Sequence, residues 1–148
     1  MSTMQNSDPA AAQVRAVLLA KLKEAQHQYG FVSKEFMTET ARSLQISISE
    51  VYGVTTFYSF LSTRPLGKNV IRICKSIPCY LKHADMIIDS VSHLIGIRPG
   101  ETTPDGRYSF ELTNCIGACD RAPAMLLNQE VHGHLTPEKI AEIITACR

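Results

Sequence analysis

The 148 residues are 45% hydrophobic and 20% charged, the balance of an ordinary globular chain rather than a disordered or membrane-embedded one. Their length suits one compact domain, or one small domain with a helical extension. Fifteen basic residues against fourteen acidic leave a formal charge of +1, and no basic block is interleaved with aromatics, so nucleic-acid binding finds no support. No apolar run approaches the ~18 residues of a membrane helix. Residues 1–12 lack the basic start and apolar stretch of a secretory signal. A reducing cytoplasm is the expected compartment, with no direct membrane insertion. Five cysteines in such a compartment favour a metal site over a disulfide framework, and an odd number argues against complete internal pairing.

Residues 1–8 are polar and expected to fray. Val14, Leu18, Leu22, Ala25 and Tyr29 then recur at steps of three and four, which predicts a helix with one apolar stripe that Gly30 stops. Ser33 is placed to cap a second helix through about Ser43, and Ser47-Ile-Ser-Glu50 has capping-box spacing for a third. That third helix runs into Tyr52, Phe57, Tyr58 and Phe60, aromatics expected in a core. Pro65 and Gly67 break the chain. Residues 9–66 thus read as a helical domain of three or four short helices, a scaffold or docking unit without a ligand set, phosphate loop or triad.

From Asn69 the pattern changes, and residues 67–148 read as a second domain. Asn69-Val-Ile-Arg-Ile-Cys74 is β-rich and delivers Cys74 at a strand end. Leu81, Ala84, Ile88, Val91 and Ile95 predict a helix with one buried face, ended by Gly96. Pro99-Gly100 and Asp105-Gly106 signal turns. Tyr108, Phe110 and Leu112 alternate with Ser109, Glu111 and Thr113 in a half-buried strand that leads to Cys115. Pro123–Asn128 predicts a further strand, Gln129-Glu130 a hairpin turn, and Val131–Leu135 the returning strand. Thr136-Pro137 is a cap with proline at the first helical position, and Ile140, Ile144 and Cys147 share a face of the last helix. The order β-α-β-β-β-α predicts a small sheet with helices packed on it, an α/β layer fold.

Two cysteine pairs, Cys74 with Cys79 and Cys115 with Cys119, are expected in loops just past strand ends. Partners four and five positions apart are brought together at little chain-entropy cost, leaving one long loop to close between the pairs. Thiolate is the ligand that iron–sulfur units prefer, and four complete a [2Fe–2S] or [4Fe–4S] cluster. Spacing alone leaves structural zinc, disulfides and plain burial open beside that reading.

The residues around these pairs carry a resemblance. Cys74-x4-Cys79 and Cys115-x3-Cys119, with Val51-Tyr-Gly-Val-Thr-Thr-Phe-Tyr58, Thr103-Pro-Asp-Gly106, Asn114-Cys-Ile-Gly-Ala-Cys-Asp-Arg-Ala-Pro123 and Leu135-Thr-Pro-Glu138, resemble the thioredoxin-like [2Fe–2S] ferredoxin subunits. These occur in respiratory complex I, NAD-linked hydrogenases (electron-bifurcating ones included) and NAD-dependent formate dehydrogenases. The resemblance covers roughly residues 12–147. It implies a helical bundle followed by a thioredoxin-like domain, and a [2Fe–2S] cluster held by Cys74, Cys79, Cys115 and Cys119; Cys147 has no place in the pattern. It also implies a one-electron carrier that works with an FMN- and NAD(P)-binding iron–sulfur subunit and further redox subunits. The N-terminal helices are expected to form part of the contact. FMN and NAD(P) belong on the partner, because this chain has no Gly-x-Gly-x-x-Gly and no Walker loop. No catalysis is expected from the isolated chain.

All-cysteine ligation favours a low potential, near about −400 mV in plant-type clusters, a range suited to exchange with a flavin. The Ser76 hydroxyl and the amides around Ile116–Ala118 are expected to donate to sulfur, with Gly117 permitting a positive φ. For Ser76 the alternative is a local turn bond. Pro78 and Pro123 either stiffen the two loops or only end strands. Asp120 and Arg121 either meet a partner or stay solvated. His132 and His134 read as exposed turn residues before metal ligands, and Cys147 as core. Without Cys-x2-Cys, thiol–disulfide exchange is disfavoured. Two other functional classes remain: a zinc-stabilised interaction module without a redox role, and a thiol enzyme using Cys74 or Cys147.

Overall fold

The structure, a computed structural model, describes residues 9–147, with side chains from residue 12 onward; the expected fraying of residues 1–8 lies outside them. The chain divides into two compact units on either side of the Pro65–Leu66 junction.

The first unit holds α1 (Pro9–Tyr29), α2 (Lys34–Leu44) and α3 (Ile48–Phe57). Its core is Leu18, Leu22 and Ala25 from the α1 stripe, with Val32, Met37, Ala41 and Val51. Tyr29, expected on that stripe, is exposed. Ser33 and Ser47 cap as their positions predict: the Ser33 hydroxyl accepts the Phe36 amide and the Ser47 hydroxyl the Glu50 amide, each at 3.1 Å. The loop after α3 is tied back to α1, since the Ser62 amide donates to Gln26 Oε1 at 2.7 Å. One expectation fails here. Tyr52, Phe57, Tyr58 and Phe60 are exposed, because Val51 and Thr55, four positions apart on α3, take its buried face.

The second unit is a four-stranded sheet with order β2-β1-β3-β4, built from β1 (Asn69–Cys74), β2 (Tyr108–Thr113), β3 (Met125–Leu127) and β4 (Glu130–His132). Central β1 pairs parallel with β2 and antiparallel with β3. Helices α4 (Ile77–Tyr80), α5 (Ala84–Ile95) and α6 (Pro137–Ala146) complete it. Ile71, Ile73, Phe110 and Met125 from the sheet pack with Ile87 and Val91 of α5 and with Ile140 and Ile144 of α6. The Tyr108 hydroxyl donates to the Ile144 carbonyl at 3.1 Å, tying an edge strand to the last helix. Cys147 packs against this core as expected.

Several local expectations are corrected. The helix expected from Leu81 begins only at Ala84: residues 81–83 are a turn with His83 at φ 61°, which leaves Leu81 exposed and puts Ala84, Ile87 and Val91 on the buried face of α5. Strand β2 is not simply half-buried. Ser109 and Thr113 are buried too, and the Ser109 hydroxyl accepts the Gly67 amide at 2.7 Å. On the same face Arg72 Nε meets Glu111 Oε2 at 2.9 Å, its direct partner in the parallel register. The hairpin turn falls on Asn128-Gln129, one residue earlier than its expected place, with Asn128 at φ 55°. Strand β4 then stops at His132 instead of running to Leu135.

Candidate metal centre

Pairing of β1 with β2 brings the two cysteine segments together. Cys74, the last residue of β1, lies opposite Thr113, the last residue of β2, and the Lys75 amide donates to the Thr113 carbonyl at 2.9 Å. Cys115 follows two residues beyond. A third segment closes the site: the Cys74 amide donates to the Ala124 carbonyl at 3.1 Å, just before β3 and after a cis Ala122–Pro123 peptide. Cys74 ends β1, as its β-rich stretch predicts, but Cys79 and Cys119 are not in plain loops: Cys79 sits in the one-turn helix α4, whose N-terminal turn contains Pro78, and Cys119 opens a 3-10 turn, Cys119–Arg121.

Small side chains make room around the sulfurs. Cys74 and Cys79 are buried with Ala84, Ala118 and Ala124, and Ile116 and Ala122 pack against them. Cys115 and Cys119 are exposed. The centre therefore has a buried half and a solvent-facing half.

Sulfur contacts are pairwise. Cys115 Sγ and Cys119 Sγ lie 3.3 Å apart, and in the buried half Cys74 and Cys79 shift one another's pKa, down for Cys74 and up for Cys79. The halves also sense one another, for charge on Cys74 raises the Cys119 pKa and charge on Cys119 raises that of Cys79. Burial alone lifts the Cys74 thiol, yet the Ser76 amide and hydroxyl, the Cys79 thiol and the Ile116 amide aimed at its sulfur hold it below the ordinary thiol range. Burial and then Cys74 push Cys79 up to about 11, against the pull of the Ala124 amide. Cys119 is raised chiefly by its hydrogen bond to Cys115. The Gly117 amide, at φ 80°, points to Cys115 Sγ at 3.4 Å.

Ser76 stands at the N-cap of α4, its hydroxyl makes no capping bond, and with the Ser76 amide it acts to lower the Cys74 pKa. The Ala124 amide is a donor that sequence reasoning missed, because no local signal announces that the lead-in to β3 will cross beside β1.

Donor chemistry and spacing suit a binuclear cluster. Such a cluster takes two thiolates per iron, and two thiolates bound tetrahedrally at about 2.3 Å stand about 3.8 Å apart. The Cys115–Cys119 pair at 3.3 Å needs to open by only about half an ångström to reach that separation. The amides and hydroxyl directed at sulfur are donors that favour thiolate, the form a metal requires.

The remaining candidates lie apart from this chemistry. Asp120 and Arg121 are largely solvated and 3.7 Å from one another. His132 Nε2 is buried without a hydrogen bond, 3.7 Å from Glu130, and His134 is exposed.

The sequence profile of the thioredoxin-like [2Fe–2S] ferredoxins matches residues 3–148. The chain belongs to this family. Within the thioredoxin-like [2Fe–2S] ferredoxins it is 39% identical over 137 residues to a subunit of the NADH-quinone oxidoreductase of Escherichia coli strain K12, covering 93% of this chain and 80% of that protein. It is 32% identical over 127 residues to the HndA subunit of the NADP-reducing hydrogenase of Solidesulfovibrio fructosivorans, covering 86% and 74%. Its fold matches the crystal structure of an air-oxidized NAD+-reducing [NiFe]-hydrogenase with a TM-score of 0.75 at 23% identity. That match covers 88% of this chain and 22% of the hydrogenase chain, and at this identity it speaks for the fold. Helices preceding a four-stranded sheet with helices on it are thus the family architecture that the cysteine segments implied.

Proposed function

We propose that this chain is a one-electron carrier within an NAD(P)-linked oxidoreductase assembly, holding one [2Fe–2S] cluster on Cys74, Cys79, Cys115 and Cys119. The observation that carries the reading is the meeting of two distant cysteine pairs at the ends of adjacent parallel strands, inside a family of [2Fe–2S] proteins. Relatives that are subunits of NADH-quinone oxidoreductase and NADP-reducing hydrogenase support an assembly of this type. In it the flavin and nucleotide sit on a partner subunit, and the helices of the 9–66 domain, which precedes the 67–148 cluster domain, form part of the contact. The assembly is cytoplasmic in this reading. No helix among the described residues is long and apolar enough to cross a membrane.

When bound, such a cluster accepts and returns a single electron. The chain's own residues do the rest. Ser76, Ile116, Gly117 and Ala124 point donors at sulfur, which stabilises negative charge and counters the effect of burial on Cys74 and Cys79. Ala84, Ala118 and Ala124 keep water from the inner half, while the Cys115–Cys119 half stays open for exchange.

The test is direct. The purified chain should carry two irons and two sulfides, absorb in the visible and bleach with dithionite, giving a one-electron paramagnetic signal. Serine at each of Cys74, Cys79, Cys115 and Cys119 in turn should lower iron content sharply, whereas Cys147→Ser should leave it intact. A colourless chain with one zinc per molecule would mean that the centre is structural.

A further inference from the structure

The sheet face that carries Cys74 also carries a buried ion pair. Side chains alternate along a strand, and Ile71, Ile73, Tyr108 and Phe110 are taken by the helix-covered core. That leaves Val70, Arg72 and Cys74 of β1 and Ser109, Glu111 and Thr113 of β2 on the opposite face. The parallel register sets Arg72 beside Glu111, and in the next row of this face Cys74 beside Thr113. Arg72 Nε donates to Glu111 Oε2 at 2.9 Å, and the two side chains are 8% and 21% exposed. Among the residues that the four strands place on this face, Arg72 is the single base and Glu111 the single acid. Along β1 the pair stands one row from Cys74, about 6.6 Å between Cα atoms.

Burying two charges costs desolvation that their mutual attraction often fails to offset. Joining β1 to β2 does not require it, because the apolar residues on the helix-covered face already pack the two strands together. Position supplies a role. An all-cysteine centre gains one negative charge when it takes up an electron, and a nearby charge acts more strongly through a buried face than through water. A cation there favours the added electron and a carboxylate opposes it. We propose that the Arg72–Glu111 pair sets the reduction potential of the centre, with the Glu111 carboxylate holding down a potential that the Arg72 guanidinium alone would raise. This rests on the [2Fe–2S] carrier reading above and adds two residues that act on the cluster through space, since neither is a candidate ligand. A unit charge about 10 Å away, at an effective dielectric of about 20, moves a one-electron equilibrium by about fifteenfold.

The experiment uses the full chain loaded with its cluster, titrated with dithionite in the presence of redox mediators and followed by visible absorbance. Iron per chain and melting temperature are measured alongside. Glu111→Gln keeps the size of the side chain and an acceptor for Arg72 while removing the negative charge. E111Q should hold as much iron as wild type and favour the reduced form about tenfold, a rise of about 59 mV for one electron. Should E111Q fail to load, E111M takes its place with the same expectation. R72M/E111M removes both charges and should stay within about threefold of wild type, because opposite electrostatic effects cancel whereas a packing effect grows with the size of the change. A double variant shifted as far as E111Q would therefore overturn the proposal. An unchanged or lowered potential in loaded E111Q would overturn it too, and would leave the carrier reading standing. A wild-type chain that holds no [2Fe–2S] cluster overturns the carrier reading and the proposal together.

Discussion

Gly133 gives a sharp test of how the loop carrying Cys119 is held. A Cβ added there would stand 2.5 Å from Arg121 Cβ and 2.8 Å from the Arg121 carbonyl oxygen. Ordinary carbon contacts are about 3.5–4.0 Å, so one segment must move by about 1 Å. Neither is free to do so cheaply. The His134 amide donates to that same carbonyl at 2.6 Å, and Lys139 Nζ donates to the Gly133 carbonyl at 2.6 Å. Arg121 ends the turn that Cys119 begins, so the displacement falls on a candidate ligand. Gly133→Ala should cost about 1–3 kcal/mol, the usual range for overpacking. At ~4–8 °C per kcal/mol for a domain of this size, Tm should fall by about 5–20 °C. Gly67→Ala is the control, since its Cβ would meet the Tyr108 backbone at 2.8 Å, at the start of β2 and away from the cysteines. Melting followed by circular dichroism, with iron retained against a chelator well below Tm, separates the two. Gly133→Ala should lose iron faster than Gly67→Ala at matched stability. A Gly133→Ala chain with wild-type melting and iron retention would refute the argument, and equal iron loss in both would show that only global stability matters.

Gly53 lies within α3 with nothing within 4 Å of an added Cβ and no positive φ. Gly53→Ala should therefore stabilise the helical unit by about 0.4–1 kcal/mol, read as a higher melting point at 222 nm. A lower melting point would mean the site is more crowded than the structure shows. Glu138, in the first turn of α6, is held below the ordinary carboxylate range by its own backbone amide and by Thr136. A lowered folded pKa means that its contribution is present above about pH 4.3, the unfolded value, and is lost as pH falls through the folded one. Wild type should melt above Glu138→Gln at neutral pH, and the gap should close in acid; a gap that widens in acid would contradict the sign.

The two helix caps at Ser33 and Ser47, the strand ending at Cys74 and the Thr136-Pro137 start of the last helix were legible because each depends on neighbours in sequence. Periodicity served less well where two surfaces compete. The Leu81–Ile95 stripe fits one helix, but His83 enters the left-handed region and Leu81 turns outward with Ile77 and Tyr80. Alternation in β2 likewise hides the burial of Ser109 and Thr113; the Ser109 hydroxyl is taken up by the Gly67 amide and the Thr102 hydroxyl, partners 42 and 7 positions away.

Sequence by itself determined the candidate ligand types, their grouping into two close pairs and the family, since those rest on residue identity and short spacing. Only the tertiary structure decided that β1 and β2 are parallel neighbours, that one pair is buried and the other open, and that Ala124 from a third segment packs beside Cys74 and Cys79 and accepts the Cys74 amide. The physical reason is range: capping, turn and ligand preferences act over a few residues, whereas strand order and burial are settled by hydrophobic packing among segments far apart in the chain.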